Sequence, residues 1–221
     1  MCQKINHLLT LLQAQTVIPV LHIDDLQIAV PLARALVKGG LKRMEITLRT
    51  SNAYDAINAI TQEVPQAIVG AGTILNTIHY EQAERAGAKF IVSPGLSDEL
   101  IDCAKNSEIP LLPGAITPSE LMQAWNKGYS YFKFFPAEAG GGMDFIQALA
   151  APFSEIRFCP TGGITQKNAA QWLQLSNVFC VGGSWIAPKQ LITANDWDAI
   201  SALAHIAAQL PSYPTKARST T

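Results

Sequence analysis

Tyr131-Phe132-Lys133-Phe134-Phe135-Pro136 is a short apolar run interrupted by one lysine and closed by a proline. Apolar residues stand at both odd and even positions, so a strand here has two faces to cover. Strands covered on both faces belong to parallel sheets with helices packed outside. Seven further runs share this character, at 17–21, 43–48, 67–70, 90–93, 110–113, 156–159 and 178–181, and successive starts lie 20 to 26 residues apart. A helical segment fits between each pair. Thr117-Pro118-Ser119-Glu120 reads as a capping box with proline at the first helical position. Asp24, Ser51, Asn76 and Ser97 are candidate N-caps, and Gly39-Gly40, Gly87 and Gly128 fall where helices should stop. Ile5, Leu8, Leu9 and Leu12 recur at helical spacing ahead of the first run.

Eight strand–helix units preceded by a helix predict an α/β chain folded as a (β/α)8 TIM barrel with an N-terminal helix. The competing architecture is an open doubly wound sheet, which usually has fewer units, and the first strand–helix turn lacks a G-x-G-x-x-G fingerprint. With 221 residues, one catalytic domain over 1–210 is expected. The proline-containing segment 211–221 is expected to be a flexible tail.

Composition narrows the function. Sixteen Lys and Arg against seventeen Asp and Glu leave a net charge of -1, without the basic excess of a nucleic-acid domain. No run approaches eighteen uninterrupted apolar residues, so no membrane span is expected. The first fifteen residues lack the h-region and cleavage site of a signal peptide. Cys2, Cys103, Cys159 and Cys180 form no C-x-x-C pair, which fits reduced thiols in a cytoplasmic protein. His7, His22, His79 and His205 do not cluster, and no metal or cofactor is expected. The four tryptophans read as packing.

Barrel active sites lie at the C-terminal ends of the strands, and several runs end in chemistry. In the second, a period of two puts Glu45, Thr47 and Arg49 on one side. Such residues line a barrel mouth, or else Glu45 and Arg49 form a self-satisfied ion pair. The third ends Gly70-Ala71-Gly72-Thr73, where small residues admit a ligand near the Thr73 hydroxyl, or simply make a tight turn. Lys133, set among aromatics, cannot easily reach water. Desolvation disfavours an ammonium relative to the free amine, and the free amine is the nucleophile in Schiff-base chemistry. A lysine snorkelling out of an apolar wall is the alternative. Gly162-Gly163 and Gly182-Gly183-Ser184 follow the seventh and eighth runs, where barrels bind phosphate on bare backbone amides. Each pair alone would be only a turn.

Val-Gly-Ala-Gly-Thr at 69–73, Ser-Pro-Gly at 93–95, Phe-Lys-Phe-Phe-Pro-Ala-Glu at 132–138, Cys-Pro-Thr-Gly-Gly-Ile at 159–164 and Gly-Gly-Ser-Trp at 182–185 together resemble the 2-keto-3-deoxy-6-phosphogluconate and 4-hydroxy-2-oxoglutarate (KDPG/KHG) aldolases. Glu-Ile-Thr-Leu-Arg-Thr at 45–50 matches too. The resemblance runs from the first strand to the helix near Trp185. It implies a homotrimer of barrels that splits a phosphorylated 2-keto-3-deoxy sugar acid into pyruvate and glyceraldehyde 3-phosphate, with no metal. It assigns Lys133 as the Schiff-base lysine and Glu45 as the general acid/base. Arg49 and Thr73 would hold the pyruvate carboxylate, and Thr161 would lie beside the reacting carbons. Gly162, Gly163, Gly183 and Ser184 would bind phosphate, and Pro94 and Phe135 complete the expected substrate site. Two readings without an imine stand against it: a barrel isomerase or synthase sharing the phosphate site, and a non-catalytic binding barrel.

Overall fold

The structure, a computed structural model, describes residues 4–211. Cys2 and all but the first residue of the expected tail lie outside them. Among the described residues, eight strands alternate with helices. Helix α1 (Ile5–Leu12) leads into β1 (Val17–Leu21), α2 (Ala29–Lys38), β2 (Arg43–Thr47), α3 (Ala53–Glu63), β3 (Ile68–Gly72) and α4 (Thr77–Arg85). Then come β4 (Phe90–Val92), α5 (Asp98–Asn106), β5 (Leu111–Leu112), α6 (Pro118–Asn126), β6 (Tyr131–Phe134) and α7 (Gly142–Ala148). The chain continues through β7 (Arg157–Pro160), α8 (Ala169–Leu173), β8 (Val181–Gly183) and α9 (Lys189–Thr193) to α10 (Trp197–Ala208).

All pairings are parallel. Six strands run in the order β5-β4-β3-β2-β1-β8, and β6 pairs with β7 as a separate two-stranded unit. Isolated bridges join that unit on both sides: Gly114 to Lys133, and Phe158 to Val178 with Thr161 to Gly182. These close the ring, so the barrel expected from the eight runs is present. The helices cover it with an outer apolar layer, while Leu8, Ile18, Phe90, Leu112, Phe179 and Cys180 belong to a second cluster that fills the interior.

Helix α1 plugs the end away from the candidate site. Leu8 and Leu12 are buried, and Arg43 at the start of β2 donates from Nε to Leu11 O at 2.7 Å. Gln15 ties the same corner, bonding Val17 O, Arg43 O and Arg43 N–H. The opposite end, where the strands finish, stays open for chemistry.

Local signals held in most places. Asn76 and Ser97 accept from His79 and Leu100 N–H, and the Thr117–Glu120 capping box is complete. Two caps shift by one residue. Asp25 rather than Asp24 caps, at a short 3-10 turn, and Asn52 rather than Ser51 precedes α3, without a side-chain bond. The third and eighth strands extend into glycines that propensity would assign to loops. In β3 an added methyl at Gly70 would strike the Phe90 ring, so the missing side chain is what lets the interior pack. Along β8 the pairing offset grows by one residue between Phe158–Val178 and Thr161–Gly182. That is the mark of a bulge, and it explains why the consecutive residues Phe179 and Cys180 both join the interior cluster.

Candidate active site

Lys133 lies in the middle of β6, in register with Cys159 of β7 and bridged to Gly114. Its backbone is held from both sides, N–H to Pro113 O at 2.8 Å and O from Ala115 N–H at 3.2 Å. The side chain points into the barrel, where Nζ donates to Glu45 Oε1 at 3.0 Å. Both side chains are buried, 7% and 5% exposed. An ion pair so enclosed is rare unless each charge has its partner. The lysine therefore does not snorkel out of the wall. Nζ also lies 5.5 Å from the centroid of the Phe135 ring, within cation–π reach.

Glu45 reaches Lys133 because β3 gives way beneath it. At Gly72 an added methyl would lie 2.6 Å from Glu45 Cδ and 2.7 Å from Cγ, and closer still to Oε1. The next residue, Thr73, has φ 64. A β-branched residue in the left-handed region is strained by about 1–3 kcal/mol, and such outliers gather at functional sites. Beneath the pair, burial pushes the Cys180 thiol well up, and Cys159 and the Glu45 charge add to it.

Arg49 does not pair with Glu45; Lys133 takes that position. Arg49 is exposed past the end of β2. It lines a cavity of 860 Å³ together with Ser184, Trp185, His22 and Lys189. Thr47, the middle residue of the same face, donates to Leu21 O and serves the barrel wall. His22 bonds Asp24 at 2.9 Å at the rim. Pro94 stands at the end of β4, its carbonyl packed against Gly114, whose N–H donates to Gly95 O.

Thr161 follows β7, buried, with Gly182 beside it: a methyl there would lie 3.0 Å from Thr161 Cγ2 and closer to Oγ1. Gly162 and Gly163 take φ +97 and +81, and Gly162 abuts the Phe135 ring. Their carbonyls are tied back, Gly162 O to Glu138 N–H at 3.1 Å and Gly163 O to Asn168 Nδ2 at 3.2 Å. Among the described residues, the N–H groups of Gly162, Gly163 and Ser184 have no acceptor. Gly183 pairs with Pro19 inside β8. Nearby, the buried Trp185 Nε1 also lacks a partner. Unpaired backbone donors at the mouth of a barrel are the kind of group that can bind an anion.

A model of KDPG and KHG aldolases matches residues 8–203. The chain belongs to this family. It is 50% identical over 200 residues to the KHG/KDPG aldolase of Escherichia coli, covering 90% of this chain and 94% of that one. It is 52% identical over 194 residues to the 2-dehydro-3-deoxy-phosphogluconate aldolase of Dickeya dadantii, covering 88% and 91%. The KDPG aldolase of Legionella pneumophila, solved with pyruvate captured as a covalent carbinolamine, superposes with a TM-score of 0.86 at 43% identity, covering 89% and 95%. The Zymomonas mobilis aldolase, solved with 3-phosphoglycerate, gives 0.87 at 43% identity, covering 92% and 95%.

Within this aldolase barrel, sequence reasoning named the residues at the strand ends but missed what stands behind them. Glu138, Asn168 and Trp172 are bonded together beside the Gly162–Gly163 turn. The signal that could have found them is the four-residue turn Thr165–Asn168, where Asn168 Oδ1 accepts from Thr165 N–H at 2.7 Å.

Proposed function

We propose that the protein is a class I aldolase that cleaves 2-dehydro-3-deoxy-6-phosphogluconate to pyruvate and glyceraldehyde 3-phosphate, and 4-hydroxy-2-oxoglutarate to pyruvate and glyoxylate. The observation that carries this reading is the buried Lys133–Glu45 contact at 3.0 Å, a nucleophile and an acid/base within proton-transfer reach. Glu45 takes a proton from the Lys133 ammonium, and the free amine attacks the C2 ketone. Glu45 hands that proton to the departing hydroxyl, so loss of water gives an iminium, the electron sink, and leaves Glu45 a carboxylate again; the mechanism calls on no metal or cofactor. Glu45 then accepts the C4 hydroxyl proton as the C3–C4 bond breaks, leaving an aldehyde and an enamine. The same carboxyl returns a proton to C3, and hydrolysis of the iminium frees pyruvate and Lys133.

Arg49 and Thr73 hold the pyruvate carboxylate, the guanidinium by its bidentate fork. Pro94 and Phe135 wall the site, and Thr161 borders the reacting carbons. The phosphate rests on Gly162, Gly163, Gly183 and Ser184, a reading supported by the unpaired N–H groups of Gly162, Gly163 and Ser184. The enzyme works in the cytoplasm, consistent with free Cys103, Cys159 and Cys180. It assembles as a homotrimer of single-domain barrels, for which exposed Leu75, Ile78, Met122 and Trp125 offer apolar area.

Borohydride reduction in the presence of pyruvate, followed by peptide mapping, tests the mechanism. A reduced pyruvyl adduct on Lys133, absent in Lys133→Met, is the expected result. Folded protein without an adduct would refute an imine mechanism.

A further inference from the structure

Glu138 ends the segment that begins at Phe132, and the reaction above leaves it without a role. Its contacts all converge on one turn. Its backbone N–H donates to Gly162 O at 3.1 Å. Its side chain runs along Gly163, where an added methyl would stand 2.6 Å from Glu138 Cβ. Its Oε1 accepts two bonds of 3.0 Å, from Asn168 Nδ2 and from Trp172 Nε1. Trp172 is fully buried in α8 and anchors the carboxylate to the body of the barrel. Asn168 in turn donates to Gly163 O at 3.2 Å.

Two adjacent glycines with positive φ form about the softest backbone a chain can offer, because no Cβ restricts either residue. Left alone, such a turn would be ordered only when an anion arrived, and the ordering would weaken binding. Here each glycine carbonyl is fastened from behind, one by the backbone of Glu138 and one by the Asn168 amide that Glu138 holds. Each carbonyl shares its peptide plane with the next N–H: Ala137 N–H on Thr161 O sets the Gly162 N–H, Glu138 N–H on Gly162 O sets the Gly163 N–H, and the Asn168 amide fixes the plane that follows.

We propose that Glu138 is a positioning residue for the anionic end of the substrate. Linked to Asn168 and Trp172, it preorganises the Gly162–Gly163 amides before binding. The inference rests on the reading of those amides as the phosphate site. It predicts a division of labour: Glu138 acts on the affinity for phosphorylated substrate and leaves the chemistry at Lys133 alone.

The test is steady-state kinetics of pyruvate release, followed with lactate dehydrogenase and NADH, on the phosphorylated substrate and on 4-hydroxy-2-oxoglutarate, which has no phosphate. For Glu138→Ala, KM for the phosphorylated substrate should rise roughly tenfold, the order expected when two ordinary hydrogen bonds no longer hold the turn. Its kcat, and both constants for 4-hydroxy-2-oxoglutarate, should stay within about twofold. Glu138→Gln keeps an acceptor oxygen and should restore most of the affinity. Trp172→Phe keeps an aromatic ring in the core, removes the N–H, and should shift KM the same way by less. An equal change on both substrates, or no change in Glu138→Ala, overturns the proposal. If Glu138→Ala fails to fold, an unaltered KM in Trp172→Phe overturns it. A parent enzyme that gains nothing from the phosphate would instead refute the phosphate site itself, and this role with it.

Discussion

Replacing Gly72 by alanine should disable the proposed acid/base, Glu45, without substituting it. The new methyl would stand 2.6 Å from Glu45 Cδ, whereas ordinary contact begins at 3.4 Å. The carboxyl carbon must therefore retreat by about 0.8 Å. Rotating the carboxylate about its last bond gives no relief, because Cγ is also only 2.7 Å away. The retreat is away from β3, and the 3.0 Å contact with Lys133 cannot survive it unchanged. A misplacement on the order of 1 Å in a catalytic group costs roughly a hundredfold in rate, and losing a general base costs about 10²–10⁴-fold. We expect kcat for pyruvate release to fall about a hundredfold. Overpacking should lower stability by roughly 1–3 kcal/mol, measured by urea unfolding. Lys133 itself is intact, so borohydride should still trap pyruvate on it, more slowly. A kcat within threefold of the parent refutes the reasoning. So does a folded variant that no longer forms the adduct, since the strain would then have fallen on Lys133.

Four further outcomes are expected. Burial pushes the Glu120 carboxyl up, but N–H bonds from Thr117 and Ile116 and the Thr117 hydroxyl hold it, on balance, below its ordinary value. Its stabilisation is thus whole above the unfolded-state pKa and fades as pH falls through the lowered native one; the urea midpoints of Glu120→Gln and the parent should differ near neutrality and converge in acid. Thr117→Ala, which removes the cap itself, should cost about 1 kcal/mol. Buried Cys159 and Cys180, the latter with its thiol pushed up, should resist iodoacetamide at pH 8 until denaturant is added, and mass mapping that finds label on either in native protein would contradict the packing. Gly39→Ala would set a methyl 2.5 Å from Ala204 Cβ and against the Ser201 carbonyl of α10, so it should lower stability by roughly 1–3 kcal/mol, read as a lower urea midpoint, with kcat unchanged.

The fold was legible because apolar runs covered on both faces recur with helical segments between them. Where the reading slipped, the interior had overruled local propensity. Gly72 and Gly182 look like turn residues, yet each sits in a strand to make room for Glu45 or Thr161. The site was legible residue by residue but not as geometry. Strand order gives no warning that Glu45 crosses the barrel to Lys133 and leaves Arg49 to the rim, because tilt and stagger decide which inward side chains meet. The unpaired amides of Gly162 and Gly163 are equally silent, since backbone donors are common to every residue.

The two-stranded unit β6–β7 carries a consequence for how this barrel breathes. Along the other joints the strands share continuous ladders, but this unit is fastened by one bridge on the β5 side and two on the β8 side. Isolated bridges make shorter runs of neighbouring pairs than a ladder does. Native-state hydrogen exchange should therefore find two seams, and the stave between them bears Lys133, the proposed nucleophile. The stave that bears Lys133 should exchange ahead of the six-stranded remainder, with the Lys133 peptide itself the best-held point of the seam, bonded to Pro113 and Ala115.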